Sequence, residues 1–182
     1  MNIEIIAGSP RKPSLSLRVA KHLQTILNEK HGHHTGLINL QDTIFPFIQD
    51  VWKSADHAPV EFQPIAKRVF EAHAFIIVTP EYNGGYSPAI SNFFDHFPKQ
   101  LRKTFGIAAT SPGALGGIRA AQNLLLFNAG LFGITSPQML IVPQVDKKFD
   151  EQGQLMDENF KLSLDNFTAE FLWLAERVAN AL

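Results

Sequence analysis

Three short stretches of this chain concentrate groups able to do chemistry. In the first, Gly8-Ser9-Pro10-Arg11-Lys12-Pro13-Ser14-Leu15-Ser16, hydroxyls and a guanidinium stand where an apolar run gives way to a helical pattern. Backbone N–H groups at a helix N-terminus, together with the helix dipole, favour an anion. Ser9, Ser14 and Ser16 can donate hydrogen bonds, and Arg11 offers a planar fork to phosphate oxygens. The stretch is neither GxxxxGK(S/T) nor GxGxxG, so it lacks the lysine of a triphosphate loop and the glycine spacing of a pyrophosphate turn. A monophosphate suits it better. Ser14 also has a plainer reading, as the N-cap of the helix that follows.

The second stretch, Thr79-Pro80-Glu81-Tyr82-Asn83-Gly84-Gly85-Tyr86-Ser87-Pro88, holds the chain's only two tyrosines. It suits a flat ring, with Gly84 and Gly85 free to adopt positive φ and Tyr82 and Tyr86 as walls or hydrogen-bonding groups. The third, Ser111-Pro112-Gly113-Ala114-Leu115-Gly116-Gly117, is another glycine-rich turn with a hydroxyl.

These stretches need a frame. Ile3 to Ala7, Gly36 to Leu40, Ala74 to Val78, Thr104 to Thr110 and Gln138 to Val142 read as short buried strands. Between and after them run helical patterns: Leu15 to Leu27, Ile65 to Ala72, Ile90 to Phe97, Ile118 to Leu131 and Leu164 to Val178. Strict alternation with right-handed crossovers implies a parallel sheet covered on both faces, a three-layer α/β/α domain over residues 1–182. In such sheets ligands bind outside the carboxyl ends of the strands, where all three loops emerge. They are expected to line one crevice. A long irregular stretch, Gln41 to Gln63, is expected to be functional or covered by a partner.

Composition narrows the function. At 182 residues and 45% hydrophobic, the chain can bury a large core as one domain. A formal net charge of -1 excludes the basic field of a nucleic-acid binder. No apolar run reaches the ~18 residues of a membrane span, and no signal-peptide pattern opens the chain, so a cytoplasmic location is expected. With no cysteine, redox chemistry here would need a bound cofactor.

Taken together, the motifs resemble those of the NAD(P)H-dependent FMN reductase family. Gly8 to Ser16 is similar to its GSxRxxSxN phosphate loop, and Thr79 to Gly84 resembles its TPEYNG signature. Asn92 and Asp95 match its KNxxDW helix, Ser111 to Ala120 its SxGxxGGxRA segment, and Phe149 to Leu155 its FDxxGxL stretch. The resemblance implies a flavodoxin-like fold with a five-stranded parallel sheet in the order 2-1-3-4-5. It also implies FMN, with its phosphate near Ser9, Arg11, Ser14, Leu15 and Ser16. The isoalloxazine would lie along Pro80, Glu81, Tyr82, Asn83 and Gly84, flanked by Ser111 and Gly113. NAD(P)H would be the co-substrate and a flavin, quinone, azo compound or similar small molecule the acceptor, in ping-pong order. A homodimer, or a dimer of dimers, is expected. Three departures stand out: Ser16 for the usual Asn, Gly85-Tyr86-Ser87 for Ser-Ile/Tyr-Pro, and His96 for Trp.

The flavin would carry the electrons, so no catalytic side chain and no metal are assigned. The alternative is a flavodoxin-like electron carrier serving a partner enzyme, against which the near-neutral charge speaks. A hydrolase would need a GxSxG elbow, which is missing. His31-Gly32-His33-His34 reads as a polar turn without an acidic or Cys ligand cluster. Glu81 and Asp95 read as turn and packing residues. Phe93, Phe94 and Phe97 are expected in the core; the alternative is that part of that stripe joins Phe45, Phe47 and Trp52 in an exposed interface patch.

Overall fold

The computed structural model describes residues 1–29 and 31–181. Strands β1 (Asn2–Ala7), β2 (His34–Asn39), β3 (Ala74–Pro80) and β4 (Thr104–Ser111) alternate with helices α1 (Leu15–Glu29), α2 (Gln63–Glu71) and α3 (Pro88–Asp95). Then come α4 (Ile118–Gly130), two short strands β5 (Ile134–Thr135) and β6 (Leu140–Pro143), the single turn α5 (Val145–Lys148) and α6 (Lys161–Ala179). All pairings are parallel, and the order is β2-β1-β3-β4-β5, with β6 also paired to β4.

The strands are apolar on both faces because both are covered. Ile3, Ile5, Ala74, Ile76 and Val78 point into a core shared with α1 and α6. Ile6, Phe75, Ile77, Phe105 and Ile107 point the other way, toward α2, α3 and α4. This is the three-layer α/β/α arrangement expected from the alternation. Phe93, Phe94 and Phe97 are buried in the second core, as their spacing predicts.

Three details differ from the sequence reading. The expected fifth strand, 138–142, is found as β6, 140–143, pairing with Ala108 to Ser111, and a separate two-residue β5 ahead of it pairs with Thr104 and Phe105. Pro137 lies between them and has no N–H to give a ladder. Gly36 is no strand boundary but sits inside β2, opposite Glu4. A Cβ there would collide with the Glu4 carboxylate, which Arg68 of α2 grips through Nε at 3.0 Å and Nη2 at 2.5 Å.

The expected aromatic patch is the third. Only Phe47 is exposed, at 87%; Phe45 and Trp52 are buried against Phe62, Phe93, Phe97 and His96. Asn92 pins their loop to α3 by donating to the carbonyls of Phe45 (3.2 Å) and Pro46 (2.9 Å) and accepting from Ile48 N–H (3.2 Å).

Candidate active site

The turn after β1 is drawn tightly under the sheet edge. Gly8 N–H donates to the Val78 carbonyl at 2.8 Å, and a side chain at Gly8 would run into Ile90. Beyond it, Ser9 Oγ accepts from Arg11 N–H (3.3 Å) and shares a hydrogen bond with the Tyr82 hydroxyl (3.1 Å). The Arg11 guanidinium lies 4.3 Å over the centre of the Tyr82 ring. The anion loop and the ring loop therefore touch through two side-chain contacts.

Ser14 does cap α1: its Oγ accepts from Leu17 N–H at 3.2 Å and lies 3.1 Å from Ser16 Oγ. Among the described residues, the N–H groups of Leu15 and Ser16 find no acceptor, so two donors at the positive end of α1 stay open. Ser16 itself is fully buried.

The second loop is a small hairpin. Tyr82 and Gly85 exchange N–H···O bonds at 2.9 and 3.0 Å, with Asn83 (φ 52°) and Gly84 (φ 80°) between them. Two central residues of positive φ make the primed turn that Asn-Gly favours. The positive-φ pair is thus Asn83 and Gly84, not Gly84 and Gly85. Thr79 fixes the loop's ends, its Oγ1 donating to the Pro80 carbonyl (2.8 Å) and accepting from Ser87 N–H (3.2 Å).

A clamp from α4, which the sequence reading missed, holds this hairpin. Glu81 accepts from Arg119 N–H at 3.2 Å and faces Arg119 Nη1 at 3.6 Å. Asn123 Nδ2 donates to the Gly84 carbonyl at 3.0 Å. Glu81 and Asp95 serve separate partners, Asp95 accepting from Ser91 Oγ at 3.4 Å. Burial raises the Tyr86 pKa, the Ser91 hydrogen bond opposes the rise, and Asp95 adds to it. In the third loop, Ser111 Oγ accepts from Gly113 N–H at 3.0 Å.

The three loops enclose one cavity of about 340 Å³, in the range of small-molecule sites. Ser9, Arg11, Leu15, Ser16, Pro80, Glu81, Tyr82 and Ser111 line it. Ser14, Asn83, Gly84 and Gly113 do not, lying within two residues of the lining in the same turns. Pro13, Thr110 and Pro112 line it unpredicted, though each borders a motif residue. The Phe149 to Leu155 stretch is not part of the cavity wall. It wraps α1, where Arg18 donates to the Phe149 carbonyl and Lys21 to that of Glu151. His33 pairs with Glu176 at 3.3 Å, and among the described residues no group of three or more His, Asp or Glu could hold a metal.

A parallel sheet in this order, with a ligand-sized crevice at its carboxyl edge, defines a flavodoxin-like protein. The chain belongs to the NADPH-dependent FMN reductase family, whose profile matches residues 1–147. It is 24% identical over 156 residues to an NADPH azoreductase of Bacillus sp. (strain OY1-2), covering 85% of this chain and 83% of that one. Its fold is similar to that of FerB, a flavoenzyme NAD(P)H:(acceptor) oxidoreductase from Paracoccus denitrificans, with TM-score 0.78, 22% identity and 96% and 97% of the chains covered. A flavodoxin variant from Pseudomonas aeruginosa matches with TM-score 0.58 and 17% identity over 94% and 99%. The chain is accordingly an NAD(P)H-dependent oxidoreductase with FMN as its cofactor.

Proposed function

We propose that FMN occupies the three-loop crevice and that the chain uses it to pass electrons from NAD(P)H to a small acceptor. Ser9, Arg11, Ser14, Leu15 and Ser16 would surround the phosphate, and Pro80, Glu81, Tyr82, Asn83, Gly84, Ser111 and Gly113 the ring. The donor set fits the group: hydroxyls, one guanidinium and two open helix N–H groups for a doubly charged phosphate, and a glycine hairpin beside prolines and a tyrosine for a flat ring. The convergence of these loops on one cavity carries the reading.

When bound, FMN would supply the two-electron redox chemistry between NAD(P)H and a small acceptor, the two reaching the crevice in turn by the same opening. The protein's part is to bind and orient. Arg11 and the N-terminus of α1 neutralise the phosphate, and the α4 clamp keeps the ring loop in place. The N–H groups of Asn83 and Gly84, which have no acceptor among the described residues, are free to meet negative charge on the ring. Those of Tyr82 and Gly113 are already committed within their turns. No protein nucleophile or acid is required.

The acceptor class is an azo compound, quinone or flavin, in keeping with the azoreductase relative. Residues 1–182 would work as one domain within a homodimer or a dimer of dimers. Between Thr104 and Val145 the only charged residue is Arg119, while Leu115, Leu126 and Phe132 are exposed at 65%, 77% and 61%. Charge-poor apolar surface of this kind is typical of interface cores. Light scattering on the purified protein tests this, and a clean monomer would refute it. Dependence on reduced nicotinamide is the ground for a cytoplasmic location.

The deciding experiment loads the protein with FMN and follows oxidation of NADH and NADPH against a panel of acceptors. A protein that stays colourless after FMN incubation and oxidises neither nicotinamide would overturn the reading.

A further inference from the structure

We propose a second ligand site at the opposite end of α3, a cavity of about 380 Å³ that takes a small aromatic cation. It shares no lining residue with the flavin crevice. The proposal does not depend on the flavin reading.

The cavity is built mainly from the long loop between β2 and α2, and that loop is rigidly held. Asn92 pins it at three points, and Trp52 N–H donates to the His96 carbonyl at 2.8 Å. Its walls include Pro46, Phe47, Trp52 and Pro59. Such faces suit a flat ring, and the aromatic ones also suit a positive charge.

Its polar lining, Gln49, Asp50, His57 and His96, includes two acceptors suited to a cation. His96 is only 2% exposed and lines the cavity. Its Nδ1 lies 2.7 Å from the Asn92 carbonyl, which can only accept, so Nδ1 carries the hydrogen and Nε2 keeps a lone pair. Nε2 finds no donor among the described residues. That lone pair opens onto the cavity, where it can accept from an incoming donor.

Asp50 adds a negative charge at the same cavity. Its neighbour His57 accepts from Lys53 N–H at Nδ1 (3.2 Å), so Nε2 carries the hydrogen toward Asp50 Oδ2 at 3.3 Å. The carboxylate's remaining lone pairs can accept from a further donor. Among the described residues no group of three metal ligands forms here.

Benzylamine, protonated at neutral pH, is the probe, and calorimetric titration of the full FMN-loaded chain is the measurement. One saturable event of millimolar or tighter affinity is expected, with benzoate failing to bind. Asp50→Asn and His96→Phe should each weaken it about tenfold while leaving FMN affinity unchanged. Phe47→Ala, at an exposed position that does not threaten folding, should weaken it about threefold. Arg11→Ala should weaken FMN and leave benzylamine binding intact, which separates this site from the flavin crevice. Absence of saturation, equal binding of benzoate, or unchanged affinity in both Asp50→Asn and Phe47→Ala would overturn the proposal.

Discussion

Cutting the clamp between Glu81 and α4 tests how the ring loop is held. Glu81 makes two contacts of different kinds, an N–H···O bond from Arg119 in the first turn of α4 and a 3.6 Å ion pair with the Arg119 side chain. The second is an open contact, since Arg119 is 65% exposed, and such pairs contribute about 0.2–1 kcal/mol. The first resembles a helix cap supplied from another loop, and losing a cap acceptor costs about 1 kcal/mol. Glu81→Ala removes both, for a loss of about 1.5 kcal/mol. Arg119→Ala keeps the backbone N–H and should lose about 0.5 kcal/mol. Glu81→Gln keeps an acceptor oxygen and should resemble Arg119→Ala. For a chain of this size 1 kcal/mol corresponds to roughly 2–4 °C, so calorimetry on the FMN-free protein should show Glu81→Ala lower by about 3–6 °C and the other two by about 1–2 °C. Added salt should shrink the two smaller effects but not the whole of the largest. If Arg119→Ala proved as damaging as Glu81→Ala, the backbone contact would not be the principal one and the reasoning would fail.

Arg11→Ala should weaken FMN by about 1.5–3 kcal/mol, roughly ten- to a hundredfold, through loss of a charge-assisted contact; unchanged affinity in a fluorescence titration would remove Arg11 from the phosphate site. Gly36→Ala should destabilise the chain by about 2–3 kcal/mol, because the new methyl meets the buried Glu4 carboxylate and the Arg68 guanidinium; a urea midpoint within 0.1 M of wild type, as expected of a change under about 0.3 kcal/mol, would contradict this. Lys103 is half-buried against α2 and β3, and burial pulls its pKa from 10.5 down to about 8. Between those values the unfolded chain holds a proton that the folded chain has released, so stability from this group rises with pH across about 8 to 10.5. Relative to Lys103→Met, the wild type should gain about 1–2 kcal/mol over that window after allowance for solvent screening, and parallel pH curves would count against it.

What was legible in the sequence was whatever depends on neighbours along the chain. Ala74 to Val78 could only be a buried strand, the phenylalanine stripe of α3 could only face a core, and three polar turns after three strands had to meet at one sheet edge. The fate of Gly36 depended on Glu4 and Arg68, 32 residues away on either side. A glycine that makes room for a buried ion pair is locally indistinguishable from one that breaks a strand. Phe45 and Trp52 looked like surface aromatics because their loop has no periodicity, yet Asn92 folds that loop back over α3. The Glu81–Arg119 clamp joins two motifs that were read separately, and only their three-dimensional proximity shows it. At the candidate site the motif residues that bear hydroxyl, guanidinium or ring groups mostly face the cavity, while Ser14, Asn83, Gly84 and Gly113 shape the turns that present them.

The split of the last sheet position has a consequence for how the protein behaves in company. An outer strand normally offers an unbroken row of N–H and C=O groups on which another chain can build. Here that row is two residues, a gap containing a proline, and four residues ending in another proline. Neither piece is long enough to template a foreign strand. The exposed apolar residues Leu115, Leu126 and Phe132 thus accompany a sheet edge that offers no continuous ladder for strand addition.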